Sequence, residues 1–482
     1  MRSELFIGGS WRLGRGTEFG SIDPWTGAQV WSGRAASSGE VADAMQAAKR
    51  AFPEWARTPL ADRVAVAQRF AAVAQDRAPR FVEAIGREMG KPAWDARAEM
   101  AAVVGKVGLS VKAQAERAGH SQQDAPFGRL SLEHRPLGPL AVLGPFNFPA
   151  HLPNGHLTPA LLAGNTIVFK PSEATPGVGA LLVEAWADAG LPAGVLNLVQ
   201  GKGDIGAALV GQPDVAGVLF TGSAHAGAAI HRSFAGRPEV MVALEMGGNA
   251  PLLVWPACDP VAAANLIVQS AFLTSGQRCS CARRLILPEG AFGEDVIAAT
   301  LALARSVKIG SWDSAPEPFM GPLASVAAAG RVRAFEAAML AAGGRSLLSS
   351  RQEGAVLTPS LVDVTGVNVE DEEAFGPLLQ VIRVPSLEAG IAVANATRFG
   401  LAAGVITDDP AIWQQAGSQI RAGVLNWNRP TTGASGALPF GGPGASGSLR
   451  PSAYYAADYC AYPVATQAAD VAVATAVPGL GS

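Results

Sequence analysis

The chain has 482 residues, of which 49% are hydrophobic and 16% charged, and 37 basic against 40 acidic residues give a formal net charge of −3. This composition excludes a disordered chain and a basic surface for nucleic acid, and the length predicts two or three domains. No apolar run has the length of a signal peptide or a membrane span, and the four cysteines are too few for a disulfide framework. We therefore expect a cytoplasmic protein that binds neither nucleic acid nor a membrane.

The predicted elements change in character along the chain. From about residue 41 to 117, apolar residues recur at three- and four-residue spacing, which predicts helices. The segment 129–135 then alternates like an extended ribbon, and from Gly138 onward short apolar strands alternate with helices. The predicted strands here are 140–143, 167–169, 195–199 and 218–220, and the predicted helices include 157–162 and 178–189. This alternation, repeated from about 251 to 428, predicts parallel βαβ units.

Two short motifs place a thiol and a carboxylate at a fixed separation. Gly276-Gln277-Arg278-Cys279 presents a cysteine in a glycine-flanked loop, and Glu245 ends a short apolar run 279 − 245 = 34 residues earlier. Alone, such a cysteine is usually an inert buried residue, and its neighbour Cys281 could indicate a metal site, although no histidine lies nearby. Together, a thiol that attacks a carbonyl and a desolvated carboxylate that activates water can turn an aldehyde into an acid through a thioester. We expect no metal.

At these motifs the chain resembles the aldehyde dehydrogenase superfamily, over about residues 5–466. The resemblance implies that Cys279 is the nucleophile and that Glu245 is the base for hydrolysis, since relatives that use coenzyme A generally lack this Glu. The motif Gly144-Pro145-Phe146-Asn147-Phe148-Pro149 resembles the oxyanion site of the superfamily, where the Asn147 amide and the backbone N–H of Cys279 stabilise negative charge. An isolated Asn in a proline-bounded turn is otherwise more often structural.

The resemblance also predicts a dinucleotide site at a strand, a Gly-Ser turn and a helix start, where free N–H groups would bind pyrophosphate. The residues implied are Gly222, Ser223, Ala224, His225, Ala226 and Gly227. The formal G-x-G-x-x-G at 201–206 is interpreted only as a turn and helix start, because no acidic residue ends a strand at the expected distance.

Four further residues complete the predicted cofactor site. By resemblance, Lys170 and Glu173 would contact the adenosine ribose, and Glu373 and Phe375 the nicotinamide ribose and ring. A carboxylate at position 173 would repel a 2′-phosphate, so we expect NAD rather than NADP as the cofactor.

The resemblance implies a tunnel through which the substrate reaches Cys279. In relatives that use apolar aldehydes, large apolar side chains line this tunnel, whereas this chain has polar or small residues at most of the matching positions. We therefore expect a polar, anionic aldehyde as the substrate. The predicted substrate-binding residues are His151, Arg278, Ser280, Thr432 and Phe440, and Gly155 is a further tunnel position. Arg278 is the first candidate for a carboxylate, since a guanidinium donates two parallel hydrogen bonds, but such arginines equally often tie loops together.

The segments 278–284, 426–435 and 450–460 resemble the branch of the superfamily that oxidises N-succinylglutamate 5-semialdehyde in arginine breakdown. Another acidic semialdehyde, such as succinate semialdehyde, is the alternative substrate. A non-catalytic protein on the same fold is the alternative from another class, which the joint presence of Cys279, Glu245 and Asn147 disfavours.

The resemblance implies an α/β fold of the aldehyde dehydrogenase type. It would consist of a Rossmann-type NAD-binding domain at 1–117 and 136–244, an α/β catalytic domain at 245–444, and a small β bridging element at 118–135 and 445–470. In the superfamily the ribbon joins a neighbouring subunit, so a homodimer or homotetramer is expected.

Overall fold

The computed structural model describes residues 2–475 and 477–480. Its α-helices are α1 (Ser38–Arg57), α2 (Leu60–Asp76), α3 (Ala78–Met89), α4 (Ala93–Arg117), α5 (His151–Ala163), α6 (Pro176–Asp188), α7 (Gly203–Val210), α8 (Ala224–Ser233), α9 (Pro260–Phe272), α10 (Ala291–Ser306), α11 (Val326–Ala341), α12 (Leu387–Asn395), α13 (Pro410–Gln419) and α14 (Ala456–Tyr459). Its strands are β1 (Leu5–Ile7), β2 (Ser10–Arg12), β3 (Glu18–Ile22), β4 (Gln29–Arg34), β5 (Ser121–Ala125), β6 (Gly128–Pro136), β7 (Pro139–Leu143), β8 (Thr166–Lys170), β9 (Leu196–Leu198), β10 (Gly217–Gly222), β11 (Met241–Met246), β12 (Ala250–Val254), β13 (Ala282–Pro288), β14 (Arg345–Leu348), β15 (Gln352–Glu353), β16 (Val356–Leu357), β17 (Ser360–Asp363), β18 (Leu378–Val384), β19 (Ala402–Ile406), β20 (Val424–Trp427), β21 (Pro439–Phe440), β22 (Ser452–Ala453) and β23 (Ala461–Ala468).

The first large sheet has seven strands in the order β11-β10-β7-β8-β9-β1-β2, and the strands from β11 to β9 run parallel. Strand β7 is buried along its whole length because helices cover both faces. Its side chains alternate between two cores: Leu140 and Val142 pack with α5 and α6, and Ala141 and Leu143 pack with α1 and α7. The parallel βαβ units predicted for this part of the chain are therefore confirmed.

The second large sheet has the order β14-β17-β18-β13-β12-β19-β20, and its strands from β17 to β20 run parallel. Helices α9 and α10 cover one face, and α12 and α13 cover the other. The second alternating run predicted from about 251 to 428 is confirmed as this sheet and its helices.

A third, three-stranded sheet has the order β23-β6-β5. The ribbon predicted at 129–135 lies within β6, which pairs antiparallel with β23 from Pro136↔Ala461 to Arg129↔Ala468. A segment from the first third of the sequence (121–136) thus shares a sheet with the segment 461–468. The proposed domain boundaries remain a prediction.

Helix α5 begins at His151, earlier than the predicted core of 157–162, and the reason is a contact from outside the helix. The Glu99 Oε1 atom accepts hydrogen bonds from the backbone N–H groups of Ala150 at 2.9 Å and His151 at 3.0 Å. A carboxylate on α4 therefore caps the start of α5, where unpaired N–H groups and the positive end of the helix dipole favour an anion. Among the described residues, no helix combines the length and hydropathy needed to cross a bilayer.

Candidate active site

A continuous cavity of about 1400 Å³ collects nearly all the residues that the sequence singled out. The predicted site residues that line it are Asn147, His151, Lys170, Glu173, Gly222, Ser223, Ala224, His225, Ala226, Glu245, Arg278, Cys279, Ser280, Glu373, Phe375, Thr432 and Phe440. Gly227 is the exception, because it is buried in α8, where a Cβ would lie 2.3 Å from Met246 Sδ. Its lack of a side chain lets α8 pack closely against β11.

Cys279 lies in a loop with an unusual backbone. The three residues 274–276 have φ angles of 54°, 57° and 72°, a left-handed run that costs free energy at the two non-glycine positions. A Cβ on Gly276 would lie 2.1 Å from the carbonyl oxygen of Gly376, so glycine is required there. The Thr274 hydroxyl donates a 2.6 Å hydrogen bond to the buried carboxylate of Asp95, which helps to hold this run in place.

Two more side chains fix the loop around the nucleophile. The Gln277 Oε1 atom accepts a 2.9 Å hydrogen bond from the backbone N–H of Ala324. The buried guanidinium of Arg283 donates to the carbonyl oxygens of Arg278 at 3.1 Å and Gly376 at 3.0 Å. These contacts position the thiol but leave it facing the cavity.

The environment of Cys279 favours the neutral thiol. Burial raises its pKa well above the ordinary value, the carboxylates of Glu373 and Glu245 raise it further, and Arg283 acts in the opposite direction. Attack on an aldehyde therefore requires a neighbouring base to take the proton. The backbone N–H of Cys279 makes no backbone hydrogen bond within the described part of the chain, so it can donate to a substrate oxygen.

Glu245 lies in β11, one residue before the strand ends, and its side chain is buried. Its Oε1 atom accepts a 3.2 Å hydrogen bond from the backbone N–H of Ser452, whereas Oε2 has no hydrogen-bond partner among the described residues. Burial raises the pKa of Glu245 to about 8, and the hydrogen bonds from Ser452 only partly oppose it. The burial and the raised pKa expected from the sequence are both found, and they suit a general base near neutral pH.

Asn147 is buried beside the nucleophile loop and donates a 2.9 Å hydrogen bond from Nδ2 to the carbonyl oxygen of Gln277. A side-chain amide carries two N–H groups. One of them therefore anchors the amide to the loop, and the other can donate to an oxygen in the cavity. This arrangement fits the predicted oxyanion site, in which a fixed donor stabilises developing negative charge.

The start of α8 offers donors to an anion. The Ser223 hydroxyl caps the helix by accepting a 3.2 Å hydrogen bond from the backbone N–H of Ala226. The N–H groups of Ala224 and His225 make no backbone hydrogen bond to any other described residue and lie at the positive end of the helix dipole. The pyrophosphate of a dinucleotide fits such a site.

Lys170 and Glu173 line the same cavity as this helix start. Lys170 is buried, and its Nζ donates hydrogen bonds to the carbonyl oxygens of Pro171 at 2.8 Å and Gly201 at 2.7 Å. Burial lowers the pKa of Lys170, and Glu173, 3.8 Å away, opposes that shift. The side chain of Glu173 is 51% exposed, so its carboxylate is open to a ligand in the cavity.

Glu373 lies close to the turn after β11. A Cβ on Gly247 would fall 1.7 Å from Glu373 Oε2, so this approach requires glycine. Burial raises the pKa of Glu373 to about 7, and its Oε1 atom lacks a hydrogen-bond partner among the described residues. Phe375 packs edge-on against Phe146 at 5.9 Å between ring centroids. Arg283 Nη2 lies 3.5 Å from Glu373 Oε1 in an ion pair, and the buried carboxylate beside an aromatic ring fits a ribose hydroxyl of a nicotinamide cofactor.

Arg278, which precedes Cys279 in the loop, is engaged in an ion pair. Its Nη2 atom lies 2.8 Å from Asp95 Oδ1, and its Nε donates a 2.8 Å hydrogen bond to the Thr274 hydroxyl. The guanidinium also lies 5.0 Å above the ring of Phe148. These contacts give Arg278 a role in holding the loop, and its expected contact with a substrate carboxylate stays a prediction.

The remaining predicted substrate residues make this side of the cavity polar. His151 Nδ1 is buried and has no hydrogen-bond partner in the part of the chain described. Burial, and then the nearby cations, lower the pKa of His151 to about 3, so its ring is neutral near pH 7. Ser280 and Thr432 are buried, and Phe440 is half-buried.

The sequence reasoning missed the charged face of α4. Asp95, Glu99 and Lys106 from this helix line the cavity, and the buried Lys91 precedes them. Their spacing of four and seven residues places them on one helix face, but the same spacing is typical of a solvated face. The spacing in the sequence therefore indicates that these side chains share one face of the helix, but it does not indicate that this face is buried.

Known proteins provide independent comparisons. The sequence pattern described as the aldehyde dehydrogenase family matches residues 11–463. The chain therefore belongs to the aldehyde dehydrogenase family, and it is an enzyme that acts on a small aldehyde with a nicotinamide cofactor.

Two relatives are similar over nearly their whole length. The chain is 55% identical to the N-succinylglutamate 5-semialdehyde dehydrogenase 2 of Caulobacter vibrioides, with 98% of each chain covered. It is 51% identical to the N-succinylglutamate 5-semialdehyde dehydrogenase of Paraburkholderia xenovorans, with 96% of each covered.

Two solved structures have the same fold. One is an NADP-dependent glyceraldehyde-3-phosphate dehydrogenase from Bacillus halodurans complexed with NADP, with a TM-score of 0.90, 29% identity, and 97% of this chain and 99% of that one covered. The other is a 1-pyrroline-5-carboxylate dehydrogenase from Thermus with bound NAD, with a TM-score of 0.90, 29% identity, and 96% and 92% covered.

Proposed function

We propose that this enzyme oxidises N-succinylglutamate 5-semialdehyde to N-succinylglutamate, with NAD and water as co-substrates, in the breakdown of arginine through succinylated intermediates. Relatives that carry this name share about half of their residues with the chain over nearly its full length. The observation that carries the proposal is the single cavity in which a thiol, a buried carboxylate and a side-chain amide adjoin a polar tunnel with cationic residues. An acidic aldehyde would enter this tunnel with its aldehyde group toward Cys279.

Formation of the thiohemiacetal would begin at Cys279. Glu245, whose pKa is about 8, would accept the thiol proton, and the thiolate would attack the aldehyde carbon. The oxygen that becomes negatively charged would accept hydrogen bonds from Asn147 Nδ2 and from the backbone N–H of Cys279. Both donors are held in place by the loop, so little reorganisation would accompany the attack.

NAD, when bound, supplies the acceptor for the hydride of the thiohemiacetal. The start of α8 would hold the pyrophosphate, and Glu373 would accept a hydrogen bond from the nicotinamide ribose. The carboxylate of Glu173 would accept hydrogen bonds from the adenosine ribose hydroxyls and repel a 2′-phosphate. This repulsion supports NAD rather than NADP as the cofactor.

Hydrolysis of the thioester would again use Glu245. After Glu245 has released the thiol proton to solvent, its Oε2 atom, which has no hydrogen-bond partner among the described residues, can accept a proton from a water molecule that attacks the thioester carbon. That proton would then pass to the departing thiolate of Cys279. The free acid leaves and Cys279 returns to the thiol.

A panel of aldehydes tests the substrate. We expect kcat/KM, followed by NADH absorbance, to be higher for N-succinylglutamate 5-semialdehyde than for succinate semialdehyde or butanal, and higher with NAD than with NADP. A higher kcat/KM for succinate semialdehyde would reject the proposed substrate. A preference for NADP would reject the proposed cofactor.

We also propose that the protein is a homodimer or homotetramer in the cytoplasm. The three-stranded sheet supports the assembly, because β5 and β23 are its edge strands and Phe127 and Tyr462 on or beside it are 50% and 46% exposed. Unpaired strand edges with apolar side chains favour association with another chain. Multi-angle light scattering should give a mass of two or four chains of 49.3 kDa, and a monomer would contradict the proposal.

A further inference from the structure

The charged face of α4 and its surroundings contain more cations than carboxylates. Lys91 Nζ lies 2.6 Å from Glu99 Oε2, and both side chains are fully buried. Arg278 Nη2 lies 2.8 Å from Asp95 Oδ1, and this carboxylate is also buried. Each carboxylate on this face thus has its own cation, and Lys106, on the same face of α4, pairs with no carboxylate in the part of the chain that the structure describes.

Lys106 is enclosed but reaches the cavity. The residue is 3% exposed and lines the cavity, and a Cβ on Gly155 would lie 3.8 Å from its Cε. Because position 155 has no side chain, nothing from that residue separates the Lys106 stem from the cavity. Among the residues that the structure describes, Lys106 forms no ion pair, in contrast to the equally buried Lys91.

The titratable groups around Lys106 do not supply a negative charge. His151 and His156 lie close enough to Lys106 for its charge to lower their pKa values. Burial is the larger cause, and it brings both pKa values to about 3, so both rings are neutral near pH 7. Both ring nitrogens of His156 are engaged with hydroxyl groups of neighbouring side chains. Burial raises the pKa of the Cys460 thiol, so this neighbour is neutral as well.

A buried cation without an anion is costly unless a ligand supplies the anion. Burial lowers the pKa of Lys106 to about 8, which still leaves most of the amine protonated at neutral pH. The groups that satisfy such an ammonium are oxygen atoms of a carboxylate, and the cavity is where one can enter.

We propose that Lys106 binds a carboxylate of the acidic aldehyde and is the residue by which the enzyme selects an acidic substrate over a neutral one. This assignment rests on the proposed function. Two donors of Arg278 are committed to Asp95 and Thr274, whereas the Lys106 ammonium has no carboxylate partner within residues 2–475 and 477–480. N-succinylglutamate 5-semialdehyde offers two carboxylates, and either would provide the same charge-assisted contact.

The test compares wild type with Lys106→Met, which keeps the length of the side chain and removes its charge. Loss of a charge pair in a desolvated site predicts that kcat/KM for N-succinylglutamate 5-semialdehyde falls about 30-fold or more. For butanal we expect kcat/KM to stay within about twofold, because no carboxylate is present to lose a partner. Lys112→Met is the matched control, since Lys112 lies on the same helix with a side chain that is 66% exposed, and it should leave both values unchanged.

Truncated substrates identify the carboxylate. N-acetylglutamate 5-semialdehyde lacks the succinyl carboxylate, and N-succinyl-4-aminobutanal lacks the α-carboxylate. The substrate on which Lys106→Met has lost its effect is the one that lacks the partner of Lys106, and either result supports the assignment. Equal proportional losses for the acidic aldehydes and butanal would overturn it, because they would indicate a structural role.

Two further measurements keep the test decisive. Thermal unfolding and NAD binding check that Lys106→Met is folded, and Lys106→Gln repeats the comparison if the methionine variant is insoluble. If the wild type prefers succinate semialdehyde, the proposed substrate fails, and the Lys106 assignment is then judged on that acid against butanal. A loss confined to the acid would still support Lys106, so the two proposals can fail separately.

Discussion

Arg278→Leu separates bracing of the nucleophile loop from recognition of the substrate. The substitution removes the cation 2.8 Å from Asp95, a carboxylate that is 1% exposed. Breaking a buried ion pair costs about 3–5 kcal/mol in the free energy of unfolding. Asp95 keeps its hydrogen bond from Thr274 and the field of Lys91, and Arg278 is itself 17% exposed, so we expect a loss near the lower end, about 3 kcal/mol.

Urea unfolding measures this loss, with Arg97→Leu as the matched control. Arg97 lies on α4, the helix that carries Asp95, and is 2.7 Å from Glu317, but the two side chains are 55% and 44% exposed. An exposed pair of this kind contributes about 0–1 kcal/mol, so the control should unfold almost like wild type. The comparison isolates burial, because each substitution removes one arginine from an ion pair with a carboxylate.

Activity on two substrates decides the role of Arg278. A loosened loop misplaces the thiol for every aldehyde, so kcat/KM for N-succinylglutamate 5-semialdehyde and for butanal should fall together, by about 100-fold if the thiol shifts by about 1 Å. A loss confined to the acidic aldehyde, with unchanged stability, would refute this reasoning. It would give Arg278 the carboxylate-binding role that the sequence first indicated.

Three more predictions concern the catalytic and cofactor residues. Cys279→Ala should abolish NADH production while NAD binding, measured by calorimetry, is kept, and Cys281→Ala should stay active; residual activity in the first variant would reassign the nucleophile. Glu245→Gln should give only a slow and reduced burst of NADH in rapid mixing, because the base for the thiol proton is also lost, followed by little turnover. The wild-type rate of hydrolysis should rise with pH through about 8, because Glu245 must be deprotonated, and the variant should lack this dependence; unchanged steady-state turnover would exclude the role. Glu173→Gln should narrow the preference for NAD over NADP in kcat/KM, since it removes the charge that repels a 2′-phosphate, and an unaltered ratio would contradict that explanation.

The predictions that succeeded depend on short segments of chain. Alternating strands and helices predicted the parallel strands of the two large sheets, because a strand buried on both faces must be apolar throughout and its crossover needs a helix. Gly276 is required by the left-handed backbone before the nucleophile, a constraint that acts within a few residues. The burial of Glu245 followed from the apolar run that precedes it on the same strand.

The sequence by itself therefore determined the α/β fold, the family, and the loop, strand and helix start that carry the residues predicted to be catalytic or cofactor-binding. Only the tertiary structure decided how the charges on and around α4 are paired. Lys91 pairs with Glu99 and Arg278 with Asp95, whereas Lys106 has no carboxylate partner among the described residues. The physical reason is that helical spacing tells which side chains share a face but not what covers that face. The burial and the ion pairs of this face depend on segments that are far apart in the chain. They place charged residues whose spacing is typical of a solvated surface in the lining of the cavity.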